Sequence, residues 1–274
     1  MRLILGAKYY FFYTFRANYS AIVKITIHPK YNQQQEAIVN LTRTFFQNDR
    51  VLVEGSRNSI KTSFLGDEEV NIKFFQKPGI IKSIIYSFFK STKAKRSYDY
   101  AHYLIEHAIL TPFPIAYVEE RKLFGLLGNS FYISHQVNCD FTFRELIHNP
   151  KFPEREAILK QFTAFTYKMH EAKIHFQDHS PGNTLIVKRE NGVYDFYLID
   201  LNRMKFDELS LEQRMDNFKK LWLSKQMIQI IAKEYAQLAQ QPDELVLKLL
   251  MEKSRLFKQK TARKKYIKRF LGKK

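Results

Sequence analysis

The stretch from residue 174 to residue 203 constrains the fold of this chain more than any other. Its sequence is IHFQDHSPGNTLIVKRENGVYDFYLIDLNR. Two short apolar runs, residues 184–187 and 196–199, are separated by Asn191-Gly192. Asn and Gly both tolerate the positive φ of a tight turn, so the pattern predicts a β-hairpin. A hairpin returns the chain to its start, and it therefore places the residues before its first strand beside those after its second.

Three polar residues occupy those two places. Asp178 and Asn183 precede the first run, and Asp200 directly follows the second. Their oxygens are hard ligands of the kind that Mg²⁺ prefers. The layout is typical of a phosphoryl-transfer site, with Asp178 accepting the proton of the substrate hydroxyl and Asn183 and Asp200 holding Mg²⁺. A lone D-x-x-x-x-N pair is weak evidence, because an ordinary hairpin with surface acids also contains it. The whole combination, D-H-S-P-G-N with two apolar runs and I-D-L, favours the phosphoryl-transfer site.

Earlier in the chain, three predicted strands lie at residues 51–54, 60–65 and 70–75. The turn after the first of them contains Gly55, and backbone N–H groups in such a turn can contact phosphates. On the third strand, Lys73 occupies the place of the lysine that contacts the α- and β-phosphates of ATP. The alternative for Lys73 is an ordinary strand lysine that faces solvent.

The middle of the chain is predicted to contain a further hairpin and several helices. Residues 123–127 and 130–137 form the predicted hairpin, with Gly128-Asn129 as its turn. The helical spacing of apolar residues predicts helices at residues 33–46, 95–110, 154–172, 214–223 and 232–251, the last interrupted near Pro242.

Gln136, Val137 and Asn138 follow the predicted hairpin, and by their order they form the hinge between two lobes, where backbone groups would contact adenine. The expected organisation is an N-terminal extension (1–20), a small lobe (21–138), a large lobe (139–252) and a polybasic C-terminal tail (253–274).

Several motifs resemble one family. DHSPGNTLI followed by YLIDLNR resembles the lipopolysaccharide kinase family, the Kdo/WaaP group of protein-kinase-like enzymes. The TPFPIAY run at residues 111–117 and the R-x-x-N-x-x-x-L pattern from Arg214 resemble the same family. The chain departs from ordinary protein kinases in having I-D-L where they have D-F-G, Phe176 where many have His, and no A-P-E segment. The missing segment argues against a large platform for protein substrates.

The resemblance implies an α+β, two-lobed protein-kinase-like fold, with a small antiparallel-sheet lobe and a mainly helical large lobe. It implies ATP- and Mg²⁺-dependent phosphorylation of a Kdo or heptose hydroxyl on a lipid A-linked core oligosaccharide, by a cytoplasmic enzyme at the inner face of the inner membrane. Asp99 matches the acid that pairs with Lys73 in this family, and Glu106 is the alternative. His179 is a candidate for positioning substrate. Two other functions stay open: a protein or small-molecule kinase, and a non-catalytic kinase-like membrane-binding protein.

The net charge of +18 implies an anionic partner. From residue 253 to residue 274 there are eleven Lys or Arg and no Asp or Glu, with apolar residues between them. Such a segment suits an anionic membrane surface. Nucleic acid is the less favoured rival, and a solvated end is the third possibility. Residues 80–89 carry an apolar helical stripe with lysines beside it, which fits either a membrane-surface helix or a helix packed on the small lobe.

Cys139 is the only cysteine, so no intrachain disulfide is expected and a reducing compartment is favoured. The sequence contains no run of 18 apolar residues, and no transmembrane helix is predicted. Lys8, Arg16 and Asn18 interrupt the N-terminal apolar stretch, so a secretory signal is not expected. Residues 1–20 are either an extension or an aromatic membrane-surface segment, and the sequence leaves the oligomeric state open.

Overall fold

The protein is described by a computed structural model over residues 11–17, 21–55 and 58–272. It forms two compact units, one built on a β-sheet and one mainly helical. The sheet unit lies within Met1–Tyr103 and Pro112–Val137, and the helical unit within Leu104–Thr111 and Asn138–Lys274. The second division falls between Val137 and Asn138, inside the expected hinge.

The sheet unit contains a seven-stranded sheet in which every pair of neighbouring strands is antiparallel. Its spatial order is β1-β2-β6-β7-β5-β4-β3. The strands are β1 (Phe11–Ala17), β2 (Ala21–Ile27), β3 (Val51–Val53), β4 (Asn58–Leu65), β5 (Glu68–Phe75), β6 (Pro114–Arg121) and β7 (Leu127–His135). Part of the expected N-terminal extension, residues 11–17, therefore pairs with β2 at one edge of the sheet. The rest of that extension lies outside the described residues.

Three helices accompany this sheet: α1 (Gln35–Arg43), α2 (Ile80–Ile84) and α3 (Lys93–Glu106). A 3-10 segment, Pro29–Gln34, precedes α1, and a π-helical turn, Ile85–Phe89, continues α2.

The alternating side chains of β5 build two apolar layers. Val70 and Ile72 are buried in a cluster that includes Ile38 of α1. Phe75, one strand position out of phase, is buried with Tyr98 of α3 in a second cluster. Because successive strand residues point to opposite faces, α1 and α3 pack against opposite faces of the sheet.

The hairpin predicted at residues 123–137 is wrong in its turn and its first strand. The chain instead enters through β6, and the connection between β6 and β7 lies at residues 122–126, where Phe124 and Gly125 have positive φ. Gly128 lies inside β7, where an added Cβ would be 3.0 Å from Cβ of Glu120. This glycine allows two strands to approach closely and does not form a turn.

The helical unit contains five helices in its described residues: α4 (Phe143–His148), α5 (Arg155–Glu171), α6 (Leu211–Asn217), α7 (Lys225–Ala239) and α8 (Asp243–Phe270). A 3-10 turn, Phe218–Leu221, follows α6. Five short strands accompany them: β8 (Phe141–Thr142), β9 (Ile174–Phe176), β10 (Thr184–Lys188), β11 (Tyr194–Leu198) and β12 (Met204–Phe206). The core is formed by fully buried side chains such as Phe162, Phe218 and Ile231.

The break predicted near Pro242 is confirmed between α7 and α8. Gln240 ends α7 in the left-handed conformation, with φ of 51°, and its N–H donates to carbonyls of the last turn. Pro242 then precedes α8, which continues to Phe270 and thus includes most of the expected tail. None of the helices in the described part of the chain has the length and apolar content to cross a bilayer.

The segment Leu104–Thr111 belongs to the helical unit because it bonds to β11. The N–H of Leu198 donates to the carbonyl of Leu110 at 3.0 Å, and the Thr111 hydroxyl donates to the carbonyl of Leu198 at 2.8 Å. Lys168 of α5 donates to the carbonyl of Ala108 at 2.9 Å.

Candidate phosphoryl-transfer site

The hairpin predicted from the sequence is confirmed. β10 and β11 pair antiparallel with Thr184 opposite Leu198, and the turn between them has positive φ at Asn191 (56°) and Gly192 (71°). Each strand therefore begins or ends beside a site residue, since Asn183 precedes β10 and Asp200 follows β11 by two positions.

Hydrogen bonds connect Asn183 to Ile199 and to Asp178. The N–H of Ile199 donates to the carbonyl of Asn183 at 3.0 Å. The Asn183 side-chain amide donates from Nδ2 to the carbonyl of Asp178 at 2.9 Å. Asp178, Asn183 and the residue before Asp200 are thus joined by two direct hydrogen bonds.

The loop from Asp178 to Asn183 is shaped by a 3-10 turn, Pro181–Asn183. Gly182 lies under the Arg144 guanidinium, which a Cβ at this position would meet. Arg144 belongs to α4, whose first turn is fixed by a capping box between Thr142 and Glu145. The loop therefore lies on a helix that is itself well anchored.

Asp200 has a left-handed backbone conformation. Its φ is 59°, a left-handed value that costs a non-glycine residue about 1 kcal/mol. Its Oδ1 accepts a hydrogen bond from the Asn202 side chain at 2.5 Å. Strain of this kind occurs at sites where a side chain must be placed for a purpose other than stability.

The chain after Asp200 returns along β9. Met204 of β12 lies opposite Phe176, and the N–H of Gln177 donates to the carbonyl of Arg203 at 3.0 Å. This pairing brings Arg203 near Asp178, with its Nη1 at 3.6 Å from Oδ2.

A second cation contacts the same carboxylate. Lys220 donates to Oδ1 of Asp178 at 2.9 Å and to the carbonyl of Gln177 at 2.7 Å. No role for Lys220 follows from the sequence. It lies inside the R-x-x-N-x-x-x-L pattern from Arg214, but a separation of 42 residues from Asp178 leaves no local signal.

The donor set is suited to Mg²⁺. Because Nδ2 of Asn183 donates to a carbonyl, its Oδ1 is the atom that could bind a cation. Asp200 supplies a carboxylate on the neighbouring strand end. Within the described ranges no group of three or more His, Cys, Asp or Glu could hold a metal. Two protein oxygens nevertheless agree with Mg²⁺, which keeps several waters and binds through few protein ligands.

The expectation that His179 positions substrate is wrong, because its ring is fully buried. It packs against Phe162, Phe176 and Phe218. Among the described residues neither ring nitrogen has a hydrogen-bond partner. Burial lowers the pKa of His179 to about 3, so the ring is neutral at physiological pH.

His170 is structural too. Nε2 lies 3.0 Å from Oδ1 of Asn217, and Nδ1 lies 2.9 Å from the Tyr235 hydroxyl. Asn217 in turn donates to the carbonyl of Phe176 at 2.7 Å. This buried network connects α5, α6 and α7 to β9, the strand that ends two residues before Asp178.

In the sheet unit, Lys73 is on β5 with Ile60 and Tyr132 as its strand neighbours. Its Nζ lies 5.6 Å from the centre of the Phe75 ring. Gly55 follows β3, and a Cβ there would be 2.9 Å from the carbonyl oxygen of Asn58. This position therefore requires glycine, as expected of a tight turn.

Asp99 is mostly buried on α3 and pairs with Lys95, one turn earlier, at 2.8 Å. Glu106, the alternative acid, is exposed at the end of the same helix. In the predicted hinge, the N–H of Gln136 donates to the carbonyl of Glu69 at 2.9 Å and its side chain donates to the carbonyl of Val137. The Gln136 N–H is therefore already engaged by the sheet.

Comparisons with known proteins bear on the family and the fold of this chain. The model of the lipopolysaccharide kinase (Kdo/WaaP) family matches residues 74–241, more than half of the chain. The solved structure of WaaP in complex with acyl carrier protein is similar with a TM-score of 0.60 and 14% identity, covering 86% of this chain and 98% of that chain. The Rio2 kinase-ADP/Mg²⁺-phosphoaspartate complex from Chaetomium thermophilum is similar with a TM-score of 0.45 and 12% identity, covering 80% and 67%. No curated protein sequence matches significantly. The predicted protein-kinase-like α+β fold is confirmed.

Proposed function

The chain belongs to the lipopolysaccharide kinase (Kdo/WaaP) family, and we propose that this phosphotransferase moves the γ-phosphoryl group of ATP to a Kdo or heptose hydroxyl of a lipid A-linked core oligosaccharide. One observation carries the proposal. The Asn183 amide bonds to the Asp178 backbone while the Asn183 carbonyl accepts from the N–H of Ile199, and these bonds connect the segment of the proposed base, Asp178, to the strand end that precedes Asp200.

Asp178 would act as the base. As the acceptor oxygen forms its bond to the γ-phosphorus, the bond from phosphorus to the ADP oxygen breaks and the hydroxyl proton passes to the Asp178 carboxylate. Lys220, which donates to Oδ1, would hold this carboxylate in place. Since such transition states are loose, positioning and charge neutralisation supply most of the rate enhancement.

Asn183 and Asp200 would hold Mg²⁺, which when bound neutralises charge on the nucleotide phosphates. The sheet unit would contribute Lys73 to the α- and β-phosphates, with Asp99 as the acid that supports it. Gly55 would bring backbone N–H groups to the phosphates, and residues 136–138 would contact adenine through backbone atoms.

The tail would hold the enzyme at the inner face of the inner membrane. The last turns of α8 are exposed. Tyr266, Ile267, Phe270 and the C-cap residue Leu271 lie on one side of the helix at spacings of four residues. Basic residues occupy the remaining positions. Apolar residues at the headgroup boundary with cations above them are the usual composition of a membrane-surface helix.

The test offers Mg²⁺ and γ-labelled ATP with Kdo-lipid A, a heptose-containing lipid A core, a generic protein, or no acceptor. We expect label on one of the two glycolipids, lost in Asp178→Asn and in Asp200→Ala. Asp195→Asn, a change on the same hairpin at a residue that pairs with Arg189, is the matched control and should retain transfer.

Label on the protein alone would indicate a protein kinase of this fold. Absence of both label and ATP binding would indicate a non-catalytic membrane-binding protein. Full transfer by Asp200→Ala would contradict the role given to that carboxylate.

A further inference from the structure

Helix α2 and its π-helical continuation, Ile85–Phe89, bury their polar side and expose their apolar side, the reverse of an ordinary surface helix. The side chain that is buried is Ser83, which is 5% exposed. Its hydroxyl donates to the carbonyl of Leu127 at 2.9 Å, and the Ser87 hydroxyl accepts from the N–H of Leu127 at 3.0 Å. The polar side of the segment is thus fixed to the start of β7.

The apolar side faces outward. A surface helix normally turns such a stripe toward the core. Here the exposed fractions are 77% for Ile80, 77% for Ile81, 41% for Ile84, 41% for Ile85, 65% for Phe88 and 83% for Phe89. A contiguous apolar patch of this kind marks a surface that contacts another body. The segment therefore packs on the sheet unit, as one of the two alternatives from the sequence expected, but it does so through its polar side and leaves the apolar stripe exposed.

The surroundings of the patch are strongly basic. From Val70 to Tyr98 the chain has no Asp or Glu. In that stretch seven residues are basic: Lys73, Lys77, Lys82, Lys90, Lys93, Lys95 and Arg96.

Two cavities of the sheet unit flank the patch, and both have basic linings. One, of about 790 Å³, lies beside Ile80 and includes Lys77, Lys82 and Lys93. The other, of about 370 Å³, lies beside Phe89. The second cavity is lined by the basic residues Lys24, Lys90, Lys95 and Arg121 and by one acid, Glu119.

We propose that this face, residues 77–90, inserts into the surface of an anionic lipid bilayer. Phe88, Phe89 and the isoleucines would enter the boundary between headgroups and acyl chains, and the lysines on both sides would contact lipid phosphates. An apolar edge with cations on both sides is the composition of an interfacial segment, and it matches an anionic bilayer in charge. The inference rests on the proposed action at a membrane and deepens it by naming the inserting segment.

The test is flotation of the full chain with vesicles of phosphatidylglycerol and phosphatidylethanolamine, without ATP or acceptor. Salt of about 0.5 M shortens electrostatic screening to a few ångströms and so weakens binding by the basic tail. Under these conditions Phe88→Ser combined with Phe89→Ser should lower the partition coefficient by roughly tenfold or more, because burial of aromatic area supplies the remaining binding.

Phe64→Ser is the matched control. Phe64 is 52% exposed and lies at the opposite end of β4 and β5, where its ring contacts Arg50. This variant should float as the parent does. Transfer to detergent-solubilised acceptor, measured on the same proteins, separates failure of the docking surface from failure of the proposed function.

A fluorescence measurement gives an independent result. The chain has one tryptophan, Trp222, so Trp222→Phe combined with Phe88→Trp places the only indole on the patch. Its emission should shift to shorter wavelength when anionic vesicles are added. Unchanged emission, or undiminished flotation of the double serine variant, would overturn the proposal and leave an acidic protein as the partner to seek.

Discussion

Nζ of Lys220 lies 2.9 Å from Oδ1 of Asp178, across 42 residues of chain. The 3-10 turn that follows α6 creates this contact by directing Lys220 to Asp178, while Lys219 of the same turn pairs with Asp216. Lys220 also donates to the Gln177 carbonyl, so it bonds to both the side chain and the preceding backbone of the proposed base.

We therefore expect Lys220→Met to lower kcat by roughly 10- to 100-fold, as loss of a positioning contact does, with little change in KM for ATP. Lys219→Met removes an equivalent charge and should change kcat by about twofold or less. Lys220→Arg should restore much of the rate. Equal losses in the two methionine variants would indicate a general effect of charge rather than positioning of Asp178.

Two substitutions of Asp200 distinguish the effect of backbone strain on stability from the effect of the carboxylate on activity. Because φ at Asp200 is 59°, Asp200→Gly should be more stable than Asp200→Ala by about 1 kcal/mol, as glycine adopts this conformation without cost. Both should be inactive, since neither has a carboxylate. Urea unfolding of the two variants measures the difference, and equal stability would contradict the assigned strain.

Buried histidines make the free energy of unfolding depend on pH. Burial lowers the pKa of His170 and of His179 to about 3 and that of His102 to about 4. Each lies below the value of about 6.5 for an unfolded chain, so the unfolded state takes up protons first as pH falls. The stabilisation is complete above a pH of about 6.5. As pH falls it is lost down to about pH 4 for His102 and about pH 3 for His170 and His179, by up to about 1.4 kcal/mol per pH unit for each histidine.

Chemical unfolding at several pH values from about 7.5 to 5 tests this dependence. His179→Met should reduce the slope of unfolding free energy against pH by the part that one histidine contributes. An equal slope in the His179 variant would show that this ring is protonated in the fold.

Truncation after Gln259 tests the tail. It keeps the contact between the Trp222 and Phe257 rings and the hydrogen bond from Lys258 to the Leu223 carbonyl, so the helical unit should retain its melting temperature. It removes eight basic residues and no acidic ones. Binding to anionic vesicles at about 0.1 M salt should fall by roughly tenfold or more, with a shallower salt dependence.

Vesicles of zwitterionic lipid are the control for that experiment, because they do not attract the charge. Unaltered binding of the truncated chain to anionic vesicles would remove the tail from the proposed membrane contact.

The hairpin of β10 and β11 was predictable because its information is local. Apolar runs, Asn191-Gly192 and flanking polar residues all lie within 30 residues and all agree. The order of the first strands was likewise available, since β4 and β5 meet through a short turn at Gly66. The kinase-like fold followed from these elements together with the family resemblance.

The predictions that failed concern features that depend on tertiary contacts. β6 is buried along most of its length, so it lacks the alternation that identifies a half-buried strand. Gly128 was misinterpreted because its neighbour, Glu120, lies across the sheet. The contact of Lys220 with Asp178 could not be predicted, since no spacing rule relates them.

The hydrogen bond from Thr111 to Leu198 spans 87 residues, and it has a consequence for how the chain is made. During synthesis the segment Leu104–Thr111 leaves the ribosome long before β11 exists to receive it. The helical unit therefore cannot be completed from residues 138–274 alone. A fragment of residues 138–274 would lack the Leu110 carbonyl that accepts from the N–H of Leu198. Co-expression with residues 1–137 should restore this hydrogen bond, because the two fragments together contain the whole helical unit.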